Sequence, residues 1–207
     1  MNAIDILFYI IILLFSIVIH EVSHCFMAEY FGDDTARNEG RLTLNPLKHI
    51  DPFGSILLPA ILVITRAPFL FGWAKPVPYN PNNLRDLKWG TFWVAAAGVI
   101  SNLFIAILFG LIIRFSSSFA LPQNFYFITS SIVLVNLALA LFNLVPIPPL
   151  DGSKILFSLM PRHFEPLMIF LEQYALILLL AFIVFFSDSL YPILAFLYNI
   201  VTGLALM

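Results

Sequence analysis

Apolar residues gather along this chain in long runs, the first from about Ile4 to Phe31. That length suffices to cross a hydrocarbon core, which takes roughly 20 residues in a helix. Further runs of spanning character follow at about Thr91–Ile113, Thr129–Val145, Leu167–Phe186 and Leu190–Leu206. Between the first two lies a mixed segment, Gly32 to Lys88, which holds most of the charge and much of the proline and glycine. Within it, Ser55–Thr65 is apolar but only about half the spanning length, so it reads as a re-entrant or surface-lying piece. Arg41–Leu44 and Phe69–Pro78 have strand-like composition, with Pro76, Pro78 and Pro81 confining the latter to an edge or an extended loop. Such an edge could take an extended peptide by strand addition; a plain proline-rich connector fits the composition equally well. The pattern predicts an all-α polytopic membrane protein with about five to six transmembrane helices and a small β-strand or re-entrant insertion after the first. No polar stretch is long enough for a separate soluble domain, so residues 1–207 read as a single integral-membrane domain, and any accessory module would be another chain.

Composition reinforces the membrane setting. Of the 207 residues 61% are hydrophobic and 11% charged, a balance foreign to soluble domains, and the mean hydropathy is +0.97. A net charge of -2 without a basic run gives no sign of nucleic-acid binding. The single cysteine, Cys25, excludes an internal disulfide. The N-terminus lacks a basic region and a small-residue cleavage site, so no removable signal peptide is expected. Arg37, Arg41, Lys48, Arg66, Lys75, Arg85 and Lys88 all lie between the first run and the one at Thr91, which predicts a cytoplasmic connector. The N-terminus is then expected outside, the C-terminus inside, and the protein in the cell membrane as a multi-pass integral protein.

The first run carries His20 Glu21 Val22 Ser23 His24. On a helix the two histidines stand one turn apart on one face, where both rings can reach a single metal ion, with Glu21 beside them as a general base. Intramembrane charged residues cost on the order of 2.5–3.5 kcal/mol each on insertion scales, so they usually pair, bind a ligand or line a wet cavity. Two satisfied core histidines beside a neutral glutamic acid form the competing, purely structural reading. Cys25 lies about 100° round the helix from His24 and reads as a packing residue.

Catalytic zinc commonly takes three protein ligands, so the histidines need a partner. Asp151, at the end of Asn143 Leu144 Val145 Pro146 Ile147 Pro148 Pro149 Leu150 Asp151 Gly152, is the best candidate. Asp51 precedes Pro52 in a turn, His49 and His163 lie in connectors, and Glu29 points away from the histidine face. Taken alone, the proline stretch also reads as a turn with Asp151 capping the next helix. Asn143 could donate an amide N–H to a developing oxyanion without adding charge in lipid. Asn136, two turns earlier, suits interhelical hydrogen bonding as well. Asn102 follows the small-residue patch Ala95 Ala96 Ala97 Gly98, where packing explains the small residues, and it could orient a catalytic group or bind substrate backbone. Ser16 precedes His20 by one turn on the same face.

These motifs together resemble the site-2 proteases, the intramembrane zinc metalloproteases of M50 type, and in particular the small members without PDZ or CBS modules. The likeness rests on His20–His24, on Asn143–Gly152, on Gly72 Trp73 Ala74 Lys75 Pro76 Val77 Pro78 and on Gly98 Val99 Ile100 Ser101 Asn102. Val99 stands where the family often has proline. The resemblance implies one zinc ion per chain bound by His20, His24 and Asp151, with Glu21 catalytic. It further implies cleavage in or near the transmembrane helix of a membrane-anchored protein substrate. A separate regulatory protein is open as a further partner. Two other classes stay open from residues alone. One is a non-catalytic metal-binding or ion-transporting membrane protein, which has no need of Glu21. The other is an inactive scaffold of the same fold.

Overall fold

The computed structural model describes residues 3–57, 61, 64, 75, 78–116, 119 and 121–206. Helix α1 spans Ala3–Tyr30 and is followed by the single turn α2, Thr35–Asn38. Then come α3, Leu87–Phe115; α4, Gln123–Asn143; α5, Asp151–Leu159; α6, Glu165–Gln173; α7, Ala175–Phe186; and α8, Leu190–Thr202. Helix α1 runs unbroken because its sequence contains neither proline nor glycine. The Asp86 carboxylate starts α3 by accepting from the Trp89 N–H at 2.9 Å. Pro146, Pro148 and Pro149 forbid any continuation of α4.

Among the described residues, four helical stretches are long and apolar enough to cross a membrane: Ile4–Tyr30, Leu87–Phe115, Gln123–Asn143 and Ala175–Thr202. The last unites two runs that the sequence presents as separate spans. Helices α7 and α8 have 12 and 13 residues, each reaching only roughly 20 Å of a core about 30 Å thick. Joined through Ser187–Ser189 they make one path antiparallel to α4. Phe182 meets Phe142 with ring centroids 6.3 Å apart, and the Tyr198 hydroxyl donates to Ser130 Oγ at 2.9 Å. Near the N-terminus, Tyr9 packs edge-on against Phe127 at the start of α4, and near the C-terminus the Ile200 carbonyl accepts from Arg114 at the end of α3. Both termini therefore share the end of the bundle remote from α5.

Helix α3 is the axis, packing against α1, α4, α5 and α8. Ala106, Ile113, Val133, Leu137 and Tyr198 form one buried cluster; Ala28, Leu84 and Val94 form another. Since lipid is as apolar as these side chains, close van der Waals packing rather than expulsion of water holds the helices together. Gly110 illustrates this, because a Cβ there would lie 2.2 Å from Val201 Cγ1 of α8. Large residues such as Phe104, Leu108, Phe185 and Phe196 face outward, as a lipid-facing surface requires.

The insertion after α1 contains no strand among the described residues. Arg41–Leu44 turns on itself, the Thr43 N–H bonding to the Arg41 carbonyl at 2.9 Å, which spends a donor that a ladder would need. Side chains fasten it instead: Arg41 donates to the Lys75 carbonyl at 2.8 Å and His49 Nε2 to the Thr43 carbonyl at 2.8 Å. Of Phe69–Pro78 only Lys75 and Pro78 are described, so the expected second strand lies largely outside the described residues. The expected re-entrant piece Ser55–Thr65 likewise lies mostly outside them; a π-helical turn, Pro52–Leu57, leads into it, with Gly54 N–H capped by Asp51 at 2.6 Å.

Asp33 locks the exit of α1. Its carboxylate is fully buried and accepts from Thr35 Oγ1 at 2.5 Å, Asn83 Nδ2 at 2.9 Å and Asn80 N–H at 2.7 Å. Burial pushes this carboxyl up, but the hydrogen bonds from Thr35, Asn83 and Asn80 outweigh it and hold it below the ordinary range. A lowered folded value means that the contribution is complete above the unfolded value of about 3.9 and is lost as pH falls through the folded one. Asp33→Asn is expected to cost about 2 kcal/mol, a fall of about 4–8 °C in Tm at neutral pH, and to flatten the acid limb of a Tm-versus-pH curve.

Candidate metal centre

Ser16, His20 and His24 rise along α1 at four-residue intervals, and Asn102, Gly98 and Val94 descend at the same interval along antiparallel α3. The two stripes face each other. His20 Nδ1 meets Asn102 Oδ1 at 3.0 Å, and His24 Nδ1 meets the Val94 carbonyl at 2.6 Å. A carbonyl oxygen only accepts, so His24 carries its proton on Nδ1, and Asn102 Oδ1 imposes the same tautomer on His20. Both Nε2 atoms are left with lone pairs turned inward.

The inward lone pairs converge on one atom. Asp151 Oδ2 lies 3.0 Å from His20 Nε2 and 3.2 Å from His24 Nε2, and all three residues are buried. Asp151 is the first residue of α5, which packs against α3. Gly152 allows this seating, because a Cβ there would stand 2.3 Å from the Leu144 carbonyl oxygen and 2.6 Å from that of Val145. Backbone cannot yield as a side chain can, so the Asp-Gly pair fixes the carboxylate.

Three lone-pair donors aimed at one point, with their protons turned outward, suit a cation. Two imidazole nitrogens and one carboxylate are a borderline-soft set of the kind zinc takes. The outward bonds of the rings are the second-layer contacts that orient metal-binding histidines. Glu21 is half-buried beside them; ligand atoms of His20, Glu21 and His24 lie within 4.8 Å of one another. Gly98 leaves the space in front of the nitrogens open, since a Cβ there would lie 2.6 Å from both Nε2 atoms.

A family model, Peptidase family M50, matches residues 120–186, a stretch that includes Asn143–Gly152 and Asp151. The Bacillus subtilis (strain 168) protein named "Putative zinc metalloprotease YwhC" is 39% identical over 187 residues, covering 86% of this chain and 80% of its own length. The chain belongs to peptidase family M50. A second relative, "Putative zinc metalloprotease Rip2" of Mycolicibacterium smegmatis (strain ATCC 700084 / mc(2)155), is 29% identical over 155 residues. That match covers 74% of this chain and 56% of the mycobacterial protein. No solved structure matches the chain.

Within this M50 protein the structure brings His20, Glu21, His24, Asp151 and Asn102 together. Asn143 stands at the end of α4, half-buried, with its amide nitrogen on the Leu139 carbonyl at 2.9 Å, outside the hydrogen bonds of the cluster. The rival ligands are engaged elsewhere: Asp51 caps Gly54, Glu29 pairs with Arg37, His49 bonds Thr43, and His163 lies against the Phe164 ring. Two participants were not legible as such. Gly98 looked like a packing residue, although its position one turn before Asn102 places it on the same face. Val94 acts through a backbone carbonyl, which leaves no mark in a sequence.

Proposed function

We propose that this M50 protein is an intramembrane zinc metalloendopeptidase of one domain, residues 1–207, in which His20, His24 and Asp151 hold one zinc ion per chain. The observation that carries the assignment is the convergence of His20 Nε2 and His24 Nε2 on the single oxygen Asp151 Oδ2. When bound, zinc supplies Lewis-acid activation of water and of the scissile carbonyl. The Glu21 carboxylate takes the proton of the attacking water and delivers it to the leaving amine nitrogen. Asn102 and the Val94 carbonyl keep both rings in the required tautomer. One N–H of Asn143 is spent on Leu139; its other N–H is the donor for the developing oxyanion.

The substrate is a membrane-anchored protein cut in or beside its transmembrane helix, because the site lies within a bundle of apolar spans. Orientation follows from the basic residues. Arg37, Arg41, Lys48, Lys75, Arg85 and Lys88 flank the metal-centre end, whereas Arg114 stands at the other, which supports a cytoplasmic active site with both termini outside. The transport and scaffold alternatives share the metal but leave Glu21 without work.

Asp151→Ala is expected to weaken zinc binding by more than about 100-fold, beyond what loss of an outer partner costs. Competition with a chromophoric chelator on the purified chain measures this; unchanged affinity would remove Asp151 from the ligand set.

A further inference from the structure

The face of α1 that carries the histidines continues one turn below them to Ser16, which is buried. Ser16 Oγ accepts from Asn136 Nδ2 of α4 at 2.9 Å, and the same nitrogen donates to the Ile132 carbonyl at 2.9 Å. One turn along, His20 Nδ1 donates to Asn102 Oδ1. Both asparagines are completely buried. These bonds occupy the oxygen of Asn102 and the nitrogen of Asn136, while Asn102 Nδ2, a donor, and Asn136 Oδ1, an acceptor, have no hydrogen-bond partner among the described residues.

The two unpartnered groups are complementary, and they flank the same stretch of α1 from two helices packed along their lengths. Their anchor points on α1 are one turn apart, about 5–6 Å. The two amides are thus anchored on successive turns of one face of α1, a spacing that two hydrogen bonds in series can bridge. Buried waters occupy such positions, making about three hydrogen bonds to polar groups that would otherwise go unpaired. We infer that one buried water molecule accepts from Asn102 Nδ2, donates to Asn136 Oδ1 and lies within reach of the Ser16 hydroxyl, making Asn136 a positioning residue for His20. The bridge holds the Asn102 amide with its oxygen towards His20. It thereby holds His20 in the tautomer whose Nε2 lone pair points at Asp151. Asn136 thus acts on the metal centre through water and Asn102, without touching it.

The inference rests on the reading of His20 as a zinc ligand, and its test separates the two. Zinc affinity is measured by chelator competition on the full detergent-solubilised chain for wild type, Asn102→Leu, Asn136→Leu and the double variant, with Tm recorded alongside. Asn136→Leu is expected to weaken zinc about tenfold, the range of outer-layer substitutions. The double variant is expected to bind no more weakly than Asn102→Leu alone, since both break one chain of hydrogen bonds. A lowered Tm with unchanged zinc affinity for Asn136→Leu, or full additivity in the double variant, would overturn the inference and leave Asn136 as an interhelical packing group. Should Asn136→Leu fail to accumulate, Asn136→Ala completes the same cycle. An experimental density map showing the two amides in direct contact would overturn the water. Wild type that binds no zinc would overturn the zinc-site reading itself.

Discussion

Glu21→Gln is expected to lower peptide-bond hydrolysis by about 10²–10⁴-fold, the range that a positioned general base contributes, and to leave zinc content unchanged. Glutamine matches glutamate in shape but cannot take a proton from water. The ligand set would be undisturbed, because the inward lone pairs meet at Asp151 Oδ2 and the outward protons go to Asn102 and Val94. Cleavage rate and bound metal, measured on the same preparation, separate the two roles Glu21 could have. Loss of zinc together with activity would make Glu21 a ligand; full activity would remove it from the chemistry.

Gly98→Ala is expected to abolish zinc binding and cleavage while the fold persists. Its Cβ would lie 2.6 Å from His20 Nε2 and 2.6 Å from His24 Nε2, and the rings cannot retreat while α3 itself holds their Nδ1 atoms. Alanine is the better helix former by about 1 kcal/mol, so nothing in the backbone opposes the change. The expected pattern is a folded protein whose Tm falls by only a few degrees, since overpacking typically costs about 1–3 kcal/mol, with zinc affinity reduced by more than about 100-fold. A variant that binds zinc as tightly as wild type would show that the space in front of the two nitrogens is not where the ion sits.

How far the chain could be read before its structure depended on the kind of signal. His20 and His24 were legible because two ionisable rings four residues apart inside an apolar run have few explanations. Asp151 followed once a third ligand was required. Asn102 stayed ambiguous until its oxygen was seen against His20 Nδ1, since an asparagine beside small residues suits packing and chemistry alike. Gly98 was explained too readily by helix packing; its proximity to two nitrogens depends on how α3 sits against α1, which is a tertiary fact. The last two apolar runs misled for a related reason. Their lengths each suggested a crossing, yet the Ser187–Ser189 turn links them into one path, and only the partners of Phe182 and Tyr198 reveal its direction. Strand-like composition at Arg41–Leu44 was overridden by a tight local turn and by the side chains of Arg41 and His49.

The most direct test of the central claim is reconstitution of the purified full chain with a model single-span substrate, following cleavage and bound zinc as the metal is removed by a chelator and then returned. About one zinc per chain is expected, as a single three-ligand site implies, with cleavage lost on chelation and recovered in proportion to the zinc restored. Cleavage that persists in zinc-free protein would contradict that claim.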